Sequence, residues 1–164
     1  MDDAEAIAAI HNEGIGERIG TFETNPRSPA DVRDSLLVKG NRFPTIVAEE
    51  EGRVIGWASA GPYRSRPCYA GIAEHSVYVT ANSRQSGVGL AVLEELLVVY
   101  ERLGFWKVVS RVFPENVASL RLHERAGFRV VGVYRRHGQL DGRWRDCVIV
   151  EKLLGDAAAG THEP

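Results

Sequence analysis

Residues 77–103 constrain the chain most. They open on Val77-Tyr78-Val79, three strong strand formers. A polar segment, Thr80-Ala81-Asn82-Ser83, leads into Arg84-Gln85-Ser86-Gly87-Val88-Gly89. From there Leu90, Leu93, Leu97, Tyr100 and Leu103 recur at spacings of three and four, the stripe of a half-buried helix, and Gly104 stops it. The order is strand, glycine loop, helix. It aims unpaired backbone N–H groups and the positive end of the helix dipole at one point, which suits a phosphate. Glycine there keeps side chains out of the way. On these residues alone, a plain strand-to-helix turn is an equal reading. A nucleotide P-loop fails, because no Lys-Ser/Thr follows the last glycine. A dinucleotide fingerprint fails too: the third glycine is missing, and no strand opens a βαβ unit at the N-terminus.

The rest of the pattern predicts one mixed α/β domain over residues 1–154. A helix is expected from Asp3 to about residue 13, then a loop over 14–26 carrying Phe22. Ser28 caps a second helix with Pro29 at its first position, and Gly40 ends it. Strands over 45–48 and 53–60 flank the hairpin signal Glu51-Gly52. An irregular loop over 61–71 precedes a strand over 73–79. After the long helix come a strand over 107–112, a helix over about 117–126 opened by Asn116, a strand over 129–134, a turn over 137–142 and a strand over 143–154. Residues 155–164 read as a disordered tail. Helices, a hairpin and then βαβαββ argue a mixed sheet with helices on both faces.

Arg84-x-x-Gly87-x-Gly89 resembles the acyl-CoA pyrophosphate loop of the GNAT superfamily of N-acyltransferases. Asn116-Val117-Ala118-Ser119-Leu120-Arg121-Leu122-His123-Glu124-Arg125-Ala126-Gly127-Phe128 resembles its second signature, a helix opened by Asn and closed by Gly-aromatic. The resemblance runs from about Ala4 to Leu154. It is strongest to the phosphinothricin N-acetyltransferase branch, which includes arsinothricin N-acetyltransferases. The residues that carry this are Thr21-Phe22-Glu23-Thr24 with Pro26, Ala60-Gly61-Pro62-Tyr63, Tyr69 five residues before Glu74, Leu122-His123-Glu124 and Gly142-Arg143-Trp144-Arg145-Asp146. The resemblance implies the GNAT fold, a twisted mixed sheet in which two parallel strands splay apart, here 74–79 and 107–112, to admit acetyl-CoA. Relatives begin with a short strand before the first helix. Almost nothing precedes Asp3 here, so either that strand is missing or the start lies upstream. The branch is typically homodimeric.

The implied reaction, N-acetylation of an amine, needs a base for the ammonium, a group that polarises the thioester carbonyl, and a proton or stabilisation for the thiolate. Glu74, Ser76 and Tyr78 share one strand face. On the residues alone an exposed strand-end carboxylate is the better reading of Glu74, but the resemblance places the catalytic base there. It also places His123 where many relatives carry a Tyr general acid, and an imidazole can donate near neutral pH. His75 points to the opposite face and reads as structural. The resemblance implies cofactor contacts from Val77, Tyr78, Val79, Arg84, Gln85, Ser86, Gly87, Val88, Gly89, Leu90, Asn116 and Ser119. Asn116 is also a helix cap, the safer role. For the substrate, Arg64 and Arg66 can converge on one anion, with Phe22 and Tyr69 as aromatic walls.

A net charge of −2 excludes a nucleic-acid footprint. The acidic Met1-Asp2-Asp3 start with no apolar run after it argues against a signal peptide, and no stretch is long enough to span a membrane. Cys68 and Cys147 make no disulfide framework, and the histidines show no metal-ligand spacing, so no metal is expected and a reducing cytoplasm is. Three functions stay open. The first is acetyl transfer to the α-amine of a small anionic amino acid, with arsinothricin or phosphinothricin foremost. The second keeps the chemistry and takes methionine sulfone, methionine sulfoximine or another metabolite amine. The third is an inactive acyl-CoA-binding module.

Overall fold

The computed structural model describes residues 3–160. Its elements are α1 (Asp3–Glu17), α2 (Pro29–Lys39), β1 (Ile46–Glu50), β2 (Arg53–Pro62), β3 (Ile72–Val79), α3 (Val88–Arg102), β4 (Lys107–Val112), α4 (Val117–Arg125), β5 (Arg129–Leu140), β6 (Arg143–Leu153) and α5 (Asp156–Ala159). The strands form one six-stranded sheet in the order β1-β2-β3-β4-β6-β5. Only β3 and β4 run parallel.

Strand alternation sorts side chains to two faces. On one, Ala58, Ala60, Ala73, Val108, Val112, Val148 and Val150 meet the stripe Val92, Leu93, Leu96, Leu97 and Tyr100 of α3, together with Leu120, Leu122 and Ala126 of the α4 segment. Leu93, Leu96 and Tyr100 are fully buried; each contributes about 1.5–3 kcal/mol by leaving water. On the other face Ala4, Ile7, Ala8 and Ile10 of α1 and Val32 of α2 pack on Trp57, with Tyr78 beside them. A smaller cluster, Phe113, Leu140 and Cys147 with Phe22 over it, extends the sheet's hydrophobic cover toward β6. Cys147 is buried and Cys68 exposed, both as free thiols.

The expected helices and strands are present, with four departures. α1 runs on through Gly14 to Glu17, because glycine there lets the helix lie on Tyr78: a Cβ at Gly14 would stand 2.8 Å from the ring. β2 continues to Pro62, and a single 3₁₀ turn, Pro67–Tyr69, shapes the loop beyond it. β5 does not end at Tyr134. It breaks register between Tyr134 and Gly138, where Arg136 takes φ 50° and its N–H donates to Asp146 Oδ1 at 2.6 Å, then pairs on to Leu140. The turn shrinks to Asp141-Gly142, both at positive φ. Where a disordered tail is expected, Asp156–Ala159 forms a short helix; the tail's last residues, 161–164, lie outside the described residues. No strand precedes α1 among the described residues, and β1 forms that edge of the sheet.

Candidate active site

The parallel pair is short. Ile72, Ala73 and Glu74 align with Lys107, Val108 and Val109, and the pairing ends there. Beyond Glu74 two side chains bridge the strands in place of the backbone ladder. Ser110 Oγ donates to the His75 carbonyl at 3.1 Å, and His75 Nδ1 donates to the Val109 carbonyl at 3.1 Å. The first bond also shows which way the backbone faces. In a strand, main-chain polar groups of alternate residues point to the same edge. The His75 carbonyl points toward β4, so the N–H and C=O groups of Val77 and Val79 point into the opening gap. Val79 O is met there by Arg84 Nε at 3.1 Å.

The gap leads to the glycine loop. α2 and α4 are capped by the side chains of Ser28 and Asn116, whereas α3 starts from Gly87 at φ 89° with no side-chain cap. Its first N–H groups therefore lack the partner that the other two helices have. Gln85 also sits in the left-handed region, at φ 63°, a conformation uncommon for a side-chain-bearing residue. Ser86 Oγ donates to Ser83 O at 2.5 Å and ties the loop to itself. A Cβ on Gly89 would stand 3.4 Å from Leu122 and Val79, and Val88 lies over Gly56, where a Cβ would approach to 2.8 Å. Leu90 packs on the main core. Arg84 is turned away from the loop's N–H groups toward Glu17 of α1, 2.5 Å away. Asn116 spends both ends of its amide on structure: Oδ1 accepts from Ser119 N–H at 3.1 Å, and Nδ2 donates to Ile19 O at 3.2 Å.

Glu74 stands at the vertex, its side chain 24% exposed. Its partner is Arg111 of β4, which sequence reasoning missed. Arg111 Nε donates to Glu74 Oε1 at 2.6 Å and Nη2 to the same oxygen. Oε2 makes no hydrogen bond among the described residues. Alternation over Lys107–Val112 puts Lys107, Val109 and Arg111 on one face, and a parallel partner at 73–79 brings Arg111 beside Glu74; the signal was there once the two strands are aligned.

The second catalytic candidate lies on the other face. His123 is 2% exposed on α4, and so is His75. Their Nε2 atoms face each other at 2.9 Å. His123 Nδ1 lies 2.7 Å from Ser119 O and 3.4 Å from Ser119 Oγ. Phe128 closes the pair, 5.2 Å from the His75 ring and 5.0 Å from that of His123. His75 is thus the partner of the residue chosen for catalysis, not a bystander. His75 carries its proton on Nδ1, toward the Val109 carbonyl, so its Nε2 accepts the proton that His123 holds on Nε2, and His123 Nδ1 is left facing Ser119. Burial lowers the pKa of each ring, that of His75 to about 3 with His123 adding repulsion, so the pair is neutral at pH 7.

Of the substrate candidates, Phe22 stands edge-on to Phe113 at 4.7 Å and covers Gly138, where a Cβ would come within 2.7 Å of its ring. Across β3, Gly61 of β2 pairs with Glu74, and the loop after it carries the other three. Arg64 stacks on Tyr63 at 4.8 Å, Tyr69 meets Tyr63 edge-on at 5.9 Å, and Arg66 is exposed, its side chain without a partner among the described residues. Two recesses, about 30 and 250 Å³, lie against α1, and Glu74 lines neither. Among the described residues no cluster of His, Cys, Asp and Glu could hold a metal ion, and no helix is long and apolar enough to cross a membrane.

A splayed parallel pair, a free strand edge and an uncapped helix behind a glycine loop define an acyl-CoA-dependent transferase fold. Residues 7–128 match the Acetyltransferase (GNAT) family, and the chain belongs to it; it is an acetyl-CoA-dependent N-acetyltransferase. It is 36% identical over 144 residues to phosphinothricin N-acetyltransferase of Streptomyces viridochromogenes, covering 88% of this chain and 79% of that one. It is 36% identical over 162 residues to L-methionine sulfoximine/L-methionine sulfone acetyltransferase of Salmonella typhimurium, covering 96% and 92%. Among solved structures it resembles a GNAT superfamily phosphinothricin acetyltransferase of Sinorhizobium meliloti in complex with AcCoA. There the TM-score is 0.87 at 30% identity, with 97% of this chain and 87% of that one covered.

Proposed function

We propose that this enzyme acetylates the α-amine of a small amino acid with an anionic or strongly polar far end, phosphinothricin and arsinothricin foremost and methionine sulfone or sulfoximine next. The observation that carries it is Glu74 at the vertex of the splay, gripped through one oxygen and free at the other. Oε2 takes the ammonium proton, directly or through a water, and Glu74 is the general base. Acetyl-CoA supplies the acetyl group as a thioester. Its pantetheine arm pairs with the backbone of Val77 and Val79, one of whose N–H groups polarises the carbonyl. Its pyrophosphate sits on the N–H groups of 85–90, at the uncapped start of α3. The thiolate takes its proton from solvent, because His123, the expected donor, is buried and neutral with Nε2 on His75 and Nδ1 on Ser119. Asn116 and Ser119 shape the start of α4 next to the arm, and Arg84 closes the loop's near side. Arg64 or Arg66 holds the far oxyanion, and Phe22 and Tyr69 wall the stem.

Steady-state turnover of acetyl-CoA with a panel of amino acids and simple amines tests this. Phosphinothricin and arsinothricin are expected to lead. Arg66→Ala should raise KM for them about ten- to a hundredfold, as loss of a charge-assisted hydrogen bond does, and leave acetyl-CoA affinity unchanged. No turnover with any amine would make the chain an acyl-CoA-binding module. Equal KM in Arg64→Ala, Arg66→Ala and wild type would make the arginines a solvated loop.

The reading includes a homodimer. β5 is a sheet edge that exposes Val130, Val131, Val133 and Tyr134, with Trp144 of β6 alongside. An unpaired apolar edge of this kind calls for a cover. A second copy is the occupant proposed, and sedimentation that finds only an 18.1 kDa species would remove it.

A further inference from the structure

We propose that Arg111 is the α-carboxylate anchor, so that an amino-acid zwitterion docks on the Glu74–Arg111 pair with its ammonium on Glu74 Oε2 and its carboxylate on the outer N–H groups of Arg111. This deepens the amino-acid acetyltransferase reading and rests on it.

The pair faces the cleft with matched opposite charges. Arg111 commits Nε and one N–H of Nη2 to Glu74 Oε1. A guanidinium has five N–H donors, so Nη1 and the other N–H of Nη2 remain. These are within reach, because the Arg111 side chain is 51% exposed. Free donor and free acceptor thus lie side by side on one rigid unit, held by two strands at the point where they part. An α-amino acid carries its ammonium and carboxylate on one carbon, and that is the ligand this arrangement complements. A simple amine would use only half of it.

The layout also orders the rest of the substrate. β3 lies between β2 and β4, with about 4.8 Å between neighbouring strands. Arg111 reaches Glu74 from the β4 side, and the Arg64–Arg66 loop follows β2 on the other. A substrate with its carboxylate on Arg111 and its ammonium on Glu74 therefore extends its side chain away from β4, toward Arg64 and Arg66. Planar guanidinium takes a carboxylate in a fork, which lysine does not reproduce.

The test compares the best amino acid of the panel with its own α-carboxamide, in wild type, Arg111→Met and Arg111→Lys. The reading is the ratio of kcat/KM for acid over amide. Any loss of Glu74 positioning acts on acid and amide alike and cancels within each ratio, and the different basicity of the two amines enters every enzyme's ratio alike and cancels between enzymes. Wild type is expected to prefer the acid about ten- to a hundredfold. Arg111→Met should bring the ratio to within a few-fold of unity, mainly through KM for the acid, and Arg111→Lys should recover part. Acetyl-CoA affinity by calorimetry confirms that each variant is folded; if Arg111→Met is not, Arg111→Lys against wild type still reads the fork. A wild type that acetylates amino acids with no preference over the amide, or an unchanged ratio in the variants, overturns the anchor alone. A wild type that acetylates no amino acid overturns the underlying reading and the anchor with it.

Discussion

Glu74→Gln should lose ~10²–10⁴-fold in kcat/KM near neutral pH, the usual contribution of a general base. The substitution keeps the shape and an acceptor oxygen for Arg111 and removes the one thing proposed for Glu74, the capacity to take a proton. The side chain is partly exposed and belongs to no core cluster, so the fold and acetyl-CoA affinity should survive. The residual rate should climb with pH, because the amine then loses its proton to solvent before it binds. Rate–pH profiles of the two enzymes, with calorimetry for the cofactor, decide the matter. A Glu74→Gln enzyme whose profile overlays the wild type would return Glu74 to a strand-end carboxylate whose task is to hold Arg111.

Local signals announced most of the frame. The stripe from Leu90 to Tyr100 marked α3 because burial on one side imposes the helical period, and Ser28-Pro29 and Asn116 marked two helix starts because their side chains satisfy N–H groups there. β4 falls on the expected residues, since its three valines lie in a short stretch between Gly104 and Pro114. The misses share a cause: the deciding partner is distant in sequence. Gly14 looks like a helix stop until Tyr78 lies across it. The bulge in β5 is stitched by Asp146 on the next strand. At the site, Glu74 and His123 were legible as types at family positions. What each touches was not: Arg111 is 37 residues from Glu74, and His75 is 48 from His123. Alternation put His75 on the face away from Glu74, which is correct, and the same face is where α4 brings His123.

That buried pair sets the second large effect, a loss of stability in mild acid. His75 has a folded pKa near 3, pushed down by burial and by His123, against 6.5 when exposed. His123 is also lowered by burial, and so is His11, with Arg27 adding to the effect. Each of these groups binds a proton more readily unfolded than folded, so stability rises with pH across the interval between its two values. The contribution is complete above about pH 6.5 and is lost as pH falls toward the folded value. For His75 that interval amounts to on the order of 5 kcal/mol, comparable to the whole stability of a small domain. Carboxylates interfere only lower down: Glu151, held below its usual 4.5 by Lys107 and Arg129 against its own burial, keeps its proton off until then. The window from pH 6.5 to 4.5 therefore isolates the histidines. Denaturant unfolding of wild type should weaken steeply across it. His75→Asn, which can still donate to Val109 O, should be less stable at pH 7 and show a shallower slope, by on the order of 1 kcal/mol per pH unit, so that the two curves converge in acid. Parallel curves would mean that His75 already carries a second proton in the folded protein at pH 5.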